Sequence, residues 1–209
     1  RQRYPADSSH QRRRLRPFGM TVAAIVPAAG RGERRGPGQP KALRELGCVP
    51  MLVHAVRALS RARLVDLVVV TAPADGVDEV QALLALHYIG ADVRVVAGGT
   101  GRQPSVALAL AALPTDVQVV LVHDAARPLA SSELADAVAA AVLAGHHAVV
   151  PGLPIADTVK RVEAGAGLFA PVLQTLSRSD LRSVQTPQGF DRDVLARAHA
   201  AAGHTGGDD

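Results

Sequence analysis

The chain has 209 residues, 48% of them hydrophobic and 20% charged, and its formal net charge is +4. This length suits one domain with a single hydrophobic core. Six arginines and one aspartate among residues 1–19 account for a charge of +5, so the remainder is close to neutral. With three Phe, two Tyr and no Trp, the chain also has few aromatic rings on which bases could stack, so we expect no nucleic-acid binding.

The apolar runs of the chain limit its cellular location, and its cysteine content limits the disulfide and metal sites it can form. No apolar run approaches the ~18 to 20 residues that cross a bilayer, and no signal-peptide pattern opens the chain. We therefore expect a soluble cytoplasmic protein, with the plastid as the alternative location. Cys48 is the single cysteine, which excludes an internal disulfide and a thiolate zinc cluster. We expect its side chain to be buried as a small hydrophobe.

The arginine-rich residues 1–19 have no apolar periodicity, whereas a strongly patterned strand follows Met20 almost at once. We interpret Met20 as the natural start and 20–209 as one domain. The residues before it are interpreted as an upstream or added extension, or as an organelle-targeting piece. In either case we expect them to be disordered and dispensable.

Alternating strand and helix patterns follow. Apolar, β-branched runs without strict alternation are typical of strands buried on both faces, and they occur at 22–26, 67–71, 93–96, 117–122 and 148–150. Helical patterns occur at 51–60, 77–86, 104–113, 132–143 and 191–202, with Ser131 or Ser132 as the N-cap of the fourth. The alternation predicts an α/β fold with a doubly wound, mostly parallel sheet. Ligands of such sheets bind beyond the carboxyl ends of the strands, where the winding reverses.

Between 151 and about 185 the pattern changes to Pro, Gly and polar residues that interrupt short extended pieces at 158–162 and 173–176. This composition is poor for a core. We predict an arm over about 154–185 that protrudes from the domain. Its weakly apolar faces need a partner, and we expect a second subunit to supply it.

The first predicted strand leads into a loop of small residues, Pro-Ala-Ala-Gly at 27–30, that continues to Lys41. Small residues let backbone N–H groups approach a ligand closely. Arginine at position 35 excludes the dinucleotide-binding fingerprint, and the P-loop spacing is absent. Arg34 and Lys41 are suited to oppose negative charge on a phosphoryl group during transfer. A solvated turn with surface arginines is the alternative interpretation.

A carboxylate, Asp124, follows the fourth predicted strand at the edge where ligands bind. Magnesium prefers one or two carboxylates together with phosphate oxygens and water, so we expect Asp124 to bind Mg²⁺. A turn or helix-capping role is its alternative. We expect the neighbouring His123 to be a hydrogen-bonded core residue. Together with the glycine loop, this arrangement indicates nucleotidyl transfer.

Five motifs occur in a fixed order over 22–190. They are Pro-Ala-Ala-Gly-x-Gly-x-Arg at 27–34 with Pro-Lys at 40–41, Gly-Gly-x-x-Arg-x-x-Ser-Val at 98–106, His-Asp-Ala-Ala-Arg-Pro at 123–128, Pro-x-x-Asp-Thr-x-Lys at 154–160, and Arg178 ahead of Gln-Thr-Pro-Gln at 185–188. This set resembles the 2-C-methyl-D-erythritol 4-phosphate cytidylyltransferases of the non-mevalonate isoprenoid pathway. The resemblance implies that the phosphate of methylerythritol phosphate attacks the α-phosphorus of CTP, releasing pyrophosphate without a covalent enzyme intermediate.

The resemblance also implies roles for individual residues and a homodimer joined through the arm. The triphosphate would be cradled by Ala28, Ala29 and Gly30, and the transition state stabilised by Arg34 and Lys41. Gly98 and Ser105 would read cytosine and ribose, and Asp124 would hold Mg²⁺. The substrate phosphate would be bound across the dimer by Arg127, Thr158 and Arg178, with Thr186 in the same site and Arg178 also acting in catalysis.

One departure from the family pattern is expected to matter. Family members continue for some tens of residues beyond an acidic stretch, of which residues 205–209 resemble the start, and they add an Asp and a Lys that have no counterpart here. We therefore interpret the C-terminal part of the family domain as missing. Losing one transition-state contact costs on the order of 10²- to 10³-fold in rate, so we expect this chain to bind better than it turns over.

Two other functions stay open at this point. A cytidylyltransferase for another polyol phosphate, such as ribitol 5-phosphate, would share the sheet, the loop and the Mg²⁺ chemistry. A catalytically weak nucleotide-binding protein would fit the missing C-terminal residues. An NAD-dependent oxidoreductase is supported only by analogy of fold.

Overall fold

The computed structural model describes residues 21–30, 40–87, 89, 92–165 and 169–202. The predicted extension at 1–19, the candidate Arg34 and the acidic stretch at 205–209 lie outside these residues. Within the described part, no helix is long and apolar enough to cross a membrane.

Twelve strands and five helices make up this part of the chain. The strands are β1 (Thr21–Pro27), β2 (Glu45–Leu46), β3 (Val49–Pro50), β4 (Leu67–Ala72), β5 (Asp92–Ala97), β6 (Val117–Val122), β7 (Ala148–Val149), β8 (Gly152–Pro154), β9 (Lys160–Val162), β10 (Val172–Thr175), β11 (Arg182–Val184) and β12 (Gln188–Asp191). The helices are α1 (Met51–Arg61), α2 (Val77–Leu86), α3 (Arg102–Ala111), α4 (Ser132–Leu143) and α5 (Arg192–Ala202).

The central sheet has six strands in the order β5-β4-β1-β6-β12-β7. The first four are parallel, and β12 is antiparallel to both of its neighbours. The chain winds from β1 outward to β5 and then returns to place β6 on the other side of β1. The winding therefore reverses between β1 and β6, and the predicted doubly wound sheet is confirmed.

Two apolar clusters cover the two faces of this sheet. Successive side chains of β1 point to opposite faces, so Val22 and Val26 join the cluster that includes α1 and α4, whereas Ile25 joins the cluster that includes α3 and α5. All three side chains are fully buried. Each contributes about 1.5–3 kcal/mol through burial, which fixes the strand whose end carries the glycine loop.

Several strands differ from the predictions, including β5, β7 and β12. The runs at 93–96 and 148–150 were expected to be buried on both faces, but β5 and β7 are the two edge strands of the sheet and none of their residues is buried. Strand β12 was not predicted, because Gln-Gly-Phe-Asp is not an apolar β-branched run. It fits because Gly189 lies against α4, where a Cβ would come 2.6 Å from Val138 Cγ1.

Polar caps define where two helices begin. The Ser131 hydroxyl accepts a hydrogen bond from the Leu134 N–H at 3.2 Å, which confirms one of the two predicted caps. Asp191 Oδ1 accepts from the N–H groups of Asp193 and Val194, both at 3.0 Å, and so caps α5. Helix α3 begins and ends two residues before its predicted limits, and Pro104 is accommodated in its first turn.

The segment 152–184 forms strand pairs separate from the central sheet. Strand β8 pairs with β11 and β9 with β10, both antiparallel, and all four strands are exposed. Large apolar side chains of this segment are exposed to solvent, including Leu153, Phe169 and Leu173. These exposed strand pairs lie in the segment predicted as an arm, and the arm's protrusion and its contact with a second subunit stay predictions.

The predicted burial of Cys48 was wrong. Cys48 is exposed, and it shares a two-residue turn between β2 and β3 with Gly47. The two residues have φ values of 62° and 60°. Tight hairpin turns of the primed type require positive φ at both central residues, so the turn geometry turns this thiol away from the core.

Candidate active site

A cavity of about 570 Å³ lies where the winding of the sheet reverses. It is formed by the loops that follow β1 and β6, by the turn at Lys41 and by the first residues of α3. The described residues that line it are Pro27, Ala28, Gly30, Lys41, Ala42, Gly101, Arg102, Ser105, Asp124, Ala125, Ala126 and Arg127. Its charged lining residues are three cations and one carboxylate, which favours an anionic ligand.

The glycine loop meets the cavity through backbone and small side chains. The Ala28 N–H donates to the Thr71 carbonyl oxygen at 2.9 Å, so it is already used by the sheet. Gly30 is exposed at the cavity, and a Cβ on it would meet no heavy atom within 4 Å. Ala29 is only 8% exposed. Ala28 therefore shapes the cavity wall, Ala29 packs behind it against Gly98, and Gly30 leaves room for a bulky ligand.

Gly98 and Ser105 connect this loop to α3. A Cβ on Gly98 would lie 2.5 Å from Ala29 Cβ and 2.9 Å from Ser105 Oγ, so only glycine allows this approach. The buried Ser105 hydroxyl donates to the Gly101 carbonyl oxygen at 2.7 Å and accepts from the Gly99 N–H at 3.1 Å. The structure thus places Ser105 in the cavity lining, where it holds the turn before α3, and places Gly98 in close contact with it.

The Asp124 carboxylate is held between two arginines. Arg102 Nε lies 3.2 Å from Oδ1, and Arg127 Nε lies 3.2 Å from Oδ2. A second nitrogen of Arg127 donates to the side-chain oxygen of Gln185. Both ion pairs are partly open to solvent, with the Asp124 side chain 32% exposed. Asp124, Arg127 and the residue before Thr186 are therefore linked in one network at the cavity.

Behind this network lies a buried polar pair, His123 and Thr186. Thr186 Oγ1 accepts from the Asp124 N–H at 3.2 Å and lies 2.9 Å from His123 Nδ1. Because the hydroxyl has one hydrogen and two lone pairs, it can donate to Nδ1 or accept from it, so both neutral tautomers of His123 fit this contact. Burial lowers the pKa of His123 to about 4, although the nearby Asp124 charge opposes this shift. His123 is therefore neutral, and it contacts the Thr186 hydroxyl that accepts from the Asp124 N–H.

His123 and Thr186 each differ in part from what the sequence predicted. His123 is a core residue as predicted, but within the described residues its Nε2 has no hydrogen-bond partner. Thr186 was expected to bind substrate by resemblance; it is 4% exposed and its hydroxyl is engaged with internal groups. Its role in binding substrate stays a prediction.

The remaining predicted residues are distributed between cavity and arm. Lys41 lines the cavity at the start of a short 3₁₀ turn, Lys41–Leu43. Thr158 and Arg178 lie on the exposed arm and are not among the described lining residues. Arg178 donates to the Ala156 carbonyl oxygen at 2.7 Å. A single chain therefore does not bring these two arm residues together with the cavity in the described part of the structure.

Arg102 is the lining cation to which the sequence reasoning gave no role. Its position inside the motif at 98–106 was the available signal, but its contact with Asp124 joins residues 22 positions apart in the chain. The contact requires α3 to begin next to the end of β6. That proximity becomes evident only once the order of the strands is known.

The fit of a divalent cation rests on Asp124. No cluster of three or more His, Cys, Asp or Glu suited to a metal occurs among the described residues. A carboxylate has about four lone-pair sites, so each Asp124 oxygen keeps acceptor capacity beside its arginine. Because magnesium takes phosphate oxygens and water for its other positions, one partly exposed carboxylate at a nucleotide cavity fits it.

Comparison with known proteins places the chain in a family. The model of the IspD family, 2-C-methyl-D-erythritol 4-phosphate cytidylyltransferase, matches residues 22–209. The chain belongs to the IspD family. A relative of that name from Streptomyces avermitilis is 58% identical over 187 residues, which cover 88% of this chain and 75% of the relative. One from Saccharopolyspora erythraea is 50% identical, covering 91% and 84%.

Solved structures agree with this membership. The 4-diphosphocytidyl-2C-methyl-D-erythritol synthase of Anaerococcus prevotii has a TM-score of 0.76 at 28% identity, covering 91% of this chain and 79% of that one. The cytidylyltransferase of Thermus thermophilus has a TM-score of 0.68 at 32% identity, covering 90% and 79%. The cavity described above is therefore the candidate active site of an IspD-family nucleotidyltransferase.

Proposed function

We propose that this chain transfers the cytidylyl group of CTP to 2-C-methyl-D-erythritol 4-phosphate in isoprenoid biosynthesis. Membership of the IspD family supports the reaction and its two substrates. The observation that carries the proposal is the cavity at the reversal of the sheet, where Lys41 and two arginines surround Asp124. A triphosphate and a phosphomonoester are both anions that such a lining attracts.

The transfer is a single displacement at phosphorus. A phosphate oxygen of methylerythritol phosphate forms a bond to the α-phosphorus of CTP, and the bond from that phosphorus to the bridging oxygen of the β-phosphate breaks. The products are 4-diphosphocytidyl-2-C-methyl-D-erythritol and pyrophosphate. Since no group of the protein forms a covalent bond, positioning and charge stabilisation carry the catalysis.

In this proposal Lys41 neutralises charge that develops around the α-phosphorus, together with Arg34 as the family pattern implies. Gly30 gives the triphosphate room beside the backbone, and the turn held by Ser105 accepts the nucleoside end. Asp124 holds Mg²⁺, which supplies electrostatic neutralisation of the phosphate oxygens when bound.

The second substrate requires the arm. Arg127 lies in the cavity, whereas Thr158 and Arg178 lie on the exposed strands. We propose that the arm of a partner subunit carries these two residues to the cavity of its twin, so that the active unit is a homodimer. Such an arrangement would also cover the exposed apolar side chains of the arm. We place the enzyme in the cytoplasm.

The test is pyrophosphate release from CTP with Mg²⁺ and methylerythritol phosphate, run beside ribitol 5-phosphate. We expect release with methylerythritol phosphate alone, and a loss on the order of 10²-fold or more in the Asp124→Asn variant. Arg94→Ala is the matched control, because Arg94 pairs with Asp92 at the exposed edge strand. Release with ribitol 5-phosphate instead, or CTP binding without turnover of either substrate, would contradict the proposal.

A further inference from the structure

Arg102 forms an ion pair with Asp124, the carboxylate that the proposed function assigns to Mg²⁺. We propose that Arg102 is a positioning residue that holds Asp124 before nucleotide arrives and keeps a free divalent cation off it, so that the cation enters with the nucleotide. This inference rests on the proposed function, because it takes Asp124 as the metal ligand.

The geometry sets up a direct competition. Arg102 Nε lies 3.2 Å from Oδ1 and Arg127 Nε lies 3.2 Å from Oδ2, so each carboxylate oxygen already faces one cation. A divalent cation bound to either oxygen would lie within a few ångströms of a guanidinium group. Like charges at that separation repel strongly where water is partly excluded. In the nucleotide-free enzyme, a metal ion must therefore displace an arginine or tolerate its charge.

The nucleotide changes this balance. Its triphosphate brings several negative charges into the cavity, and guanidinium groups bind phosphate oxygens readily. Arg102 is the first residue of α3, at the cavity wall, so its side chain exchanges one anionic partner for another without moving the helix. Once phosphate oxygens face Arg102, the Asp124 carboxylate is released for the cation. Metal and nucleotide binding are then positively coupled.

Charges around Arg102 come from several elements. Asp124 and Arg127 face it from the loop after β6, and His199 faces it from α5. Partial burial, followed by the Arg102 charge, lowers the pKa of His199. At pH 8 His199 is therefore neutral in the native chain, so the Arg102→Ala variant differs from the native chain only by the charge of Arg102.

The experiment is a titration of the nucleotide-free chain with Mn²⁺ alone, with free Mn²⁺ counted by electron paramagnetic resonance at pH 8. We expect Arg102→Ala to bind Mn²⁺ more tightly than the native chain, by roughly 1.5- to 5-fold, the range for one partly exposed ion pair. Arg102→Lys keeps the charge and should stay close to the native affinity. Arg94→Ala removes a surface arginine outside the cavity and should change nothing.

A second titration, with CTP present, completes the test. The gain in Mn²⁺ affinity that CTP confers should be smaller in Arg102→Ala than in the native chain. Equal Mn²⁺ affinities of Arg102→Ala and native chain without nucleotide would overturn the inference. Asp124→Asn separates the two proposals: if it binds Mn²⁺ with CTP as tightly as the native chain does, the metal role of Asp124 fails, whereas pyrophosphate release tests the reaction itself.

Discussion

At the scale of single residues, the neutral His123 couples the stability of the fold to pH. Its pKa is about 4 in the folded chain because of burial, against an ordinary value of 6.5. Between these values the unfolded chain binds a proton that the folded chain does not. The contribution of His123 to stability is therefore fully present above pH 6.5 and is lost as the pH falls toward 4.

We expect the free energy of unfolding to fall by about 2 kcal/mol from this cause between pH 7.5 and pH 5. In His123→Gln, which cannot be charged and offers the Thr186 hydroxyl both an amide donor and an amide acceptor, this component should disappear. Urea unfolding of both chains at pH 7.5 and pH 5 measures this change. Subtracting the change in the free energy of unfolding of the variant from that of the native chain removes the contribution of other groups. If the free energy of unfolding changes equally with pH in both chains, His123 is not the titrating group.

Sequence patterns identified only some of the residues that line the cavity. Asp124 and Lys41 could be predicted because each directly follows a recognisable pattern, a strand end or a glycine loop. Arg102 could not, since its partner lies 22 residues away. Cys48 was misplaced because composition describes how often a residue type is buried, whereas a hairpin turn with positive φ decided its actual position.

At the scale of elements, the contact between the glycine loop and α3 depends on Gly98. An added Cβ would lie 2.5 Å from Ala29 Cβ, so the loop or the helix must shift. We expect Gly98→Ala to lower CTP affinity by about tenfold, since such overpacking costs about 1–3 kcal/mol. Calorimetric titration with CTP measures this loss.

Gly76→Ala is the control for that variant. Its added Cβ would approach no heavy atom closer than 3.7 Å, and it precedes α2, away from the described cavity lining. We expect its CTP affinity to match that of the native chain. An unchanged affinity in Gly98→Ala would mean that the loop adjusts without cost and that its close packing does not shape the nucleotide site.

Strands could be predicted from the sequence where a local run of apolar residues reflects their burial. The parallel strands β1, β4 and β6 were predicted from their apolar runs because they are buried on both faces. The errors at β5, β7 and β12 concern strands whose character depends on their neighbours. Edge positions expose β5 and β7, and a glycine packed on α4 allows β12 to join the sheet.

At the scale of the whole molecule, the residues that the family resemblance assigns to the substrate site lie in two separate places in the described chain. Cavity residues such as Asp124 and Arg127 belong to the central domain, whereas Thr158 and Arg178 lie on the arm. The arm also exposes Leu173, which is 61% accessible, although its strands pair only with one another in the described part of the chain. Both facts are explained if a second arm completes the site.

We therefore expect the native chain to sediment as a dimer, and Leu173→Glu, which places a charge on the arm, to sediment as a monomer. Leu86→Glu is the matched control, because Leu86 is 83% exposed on α2, outside the arm, and its variant should stay dimeric. The monomeric variant should retain CTP binding, since the cavity lies in one chain, but lose affinity for methylerythritol phosphate by at least tenfold through the missing charge contacts. Analytical ultracentrifugation and substrate titration give both readouts. A native monomer that binds methylerythritol phosphate as well as CTP would contradict the shared site and return Thr158 and Arg178 to a surface role.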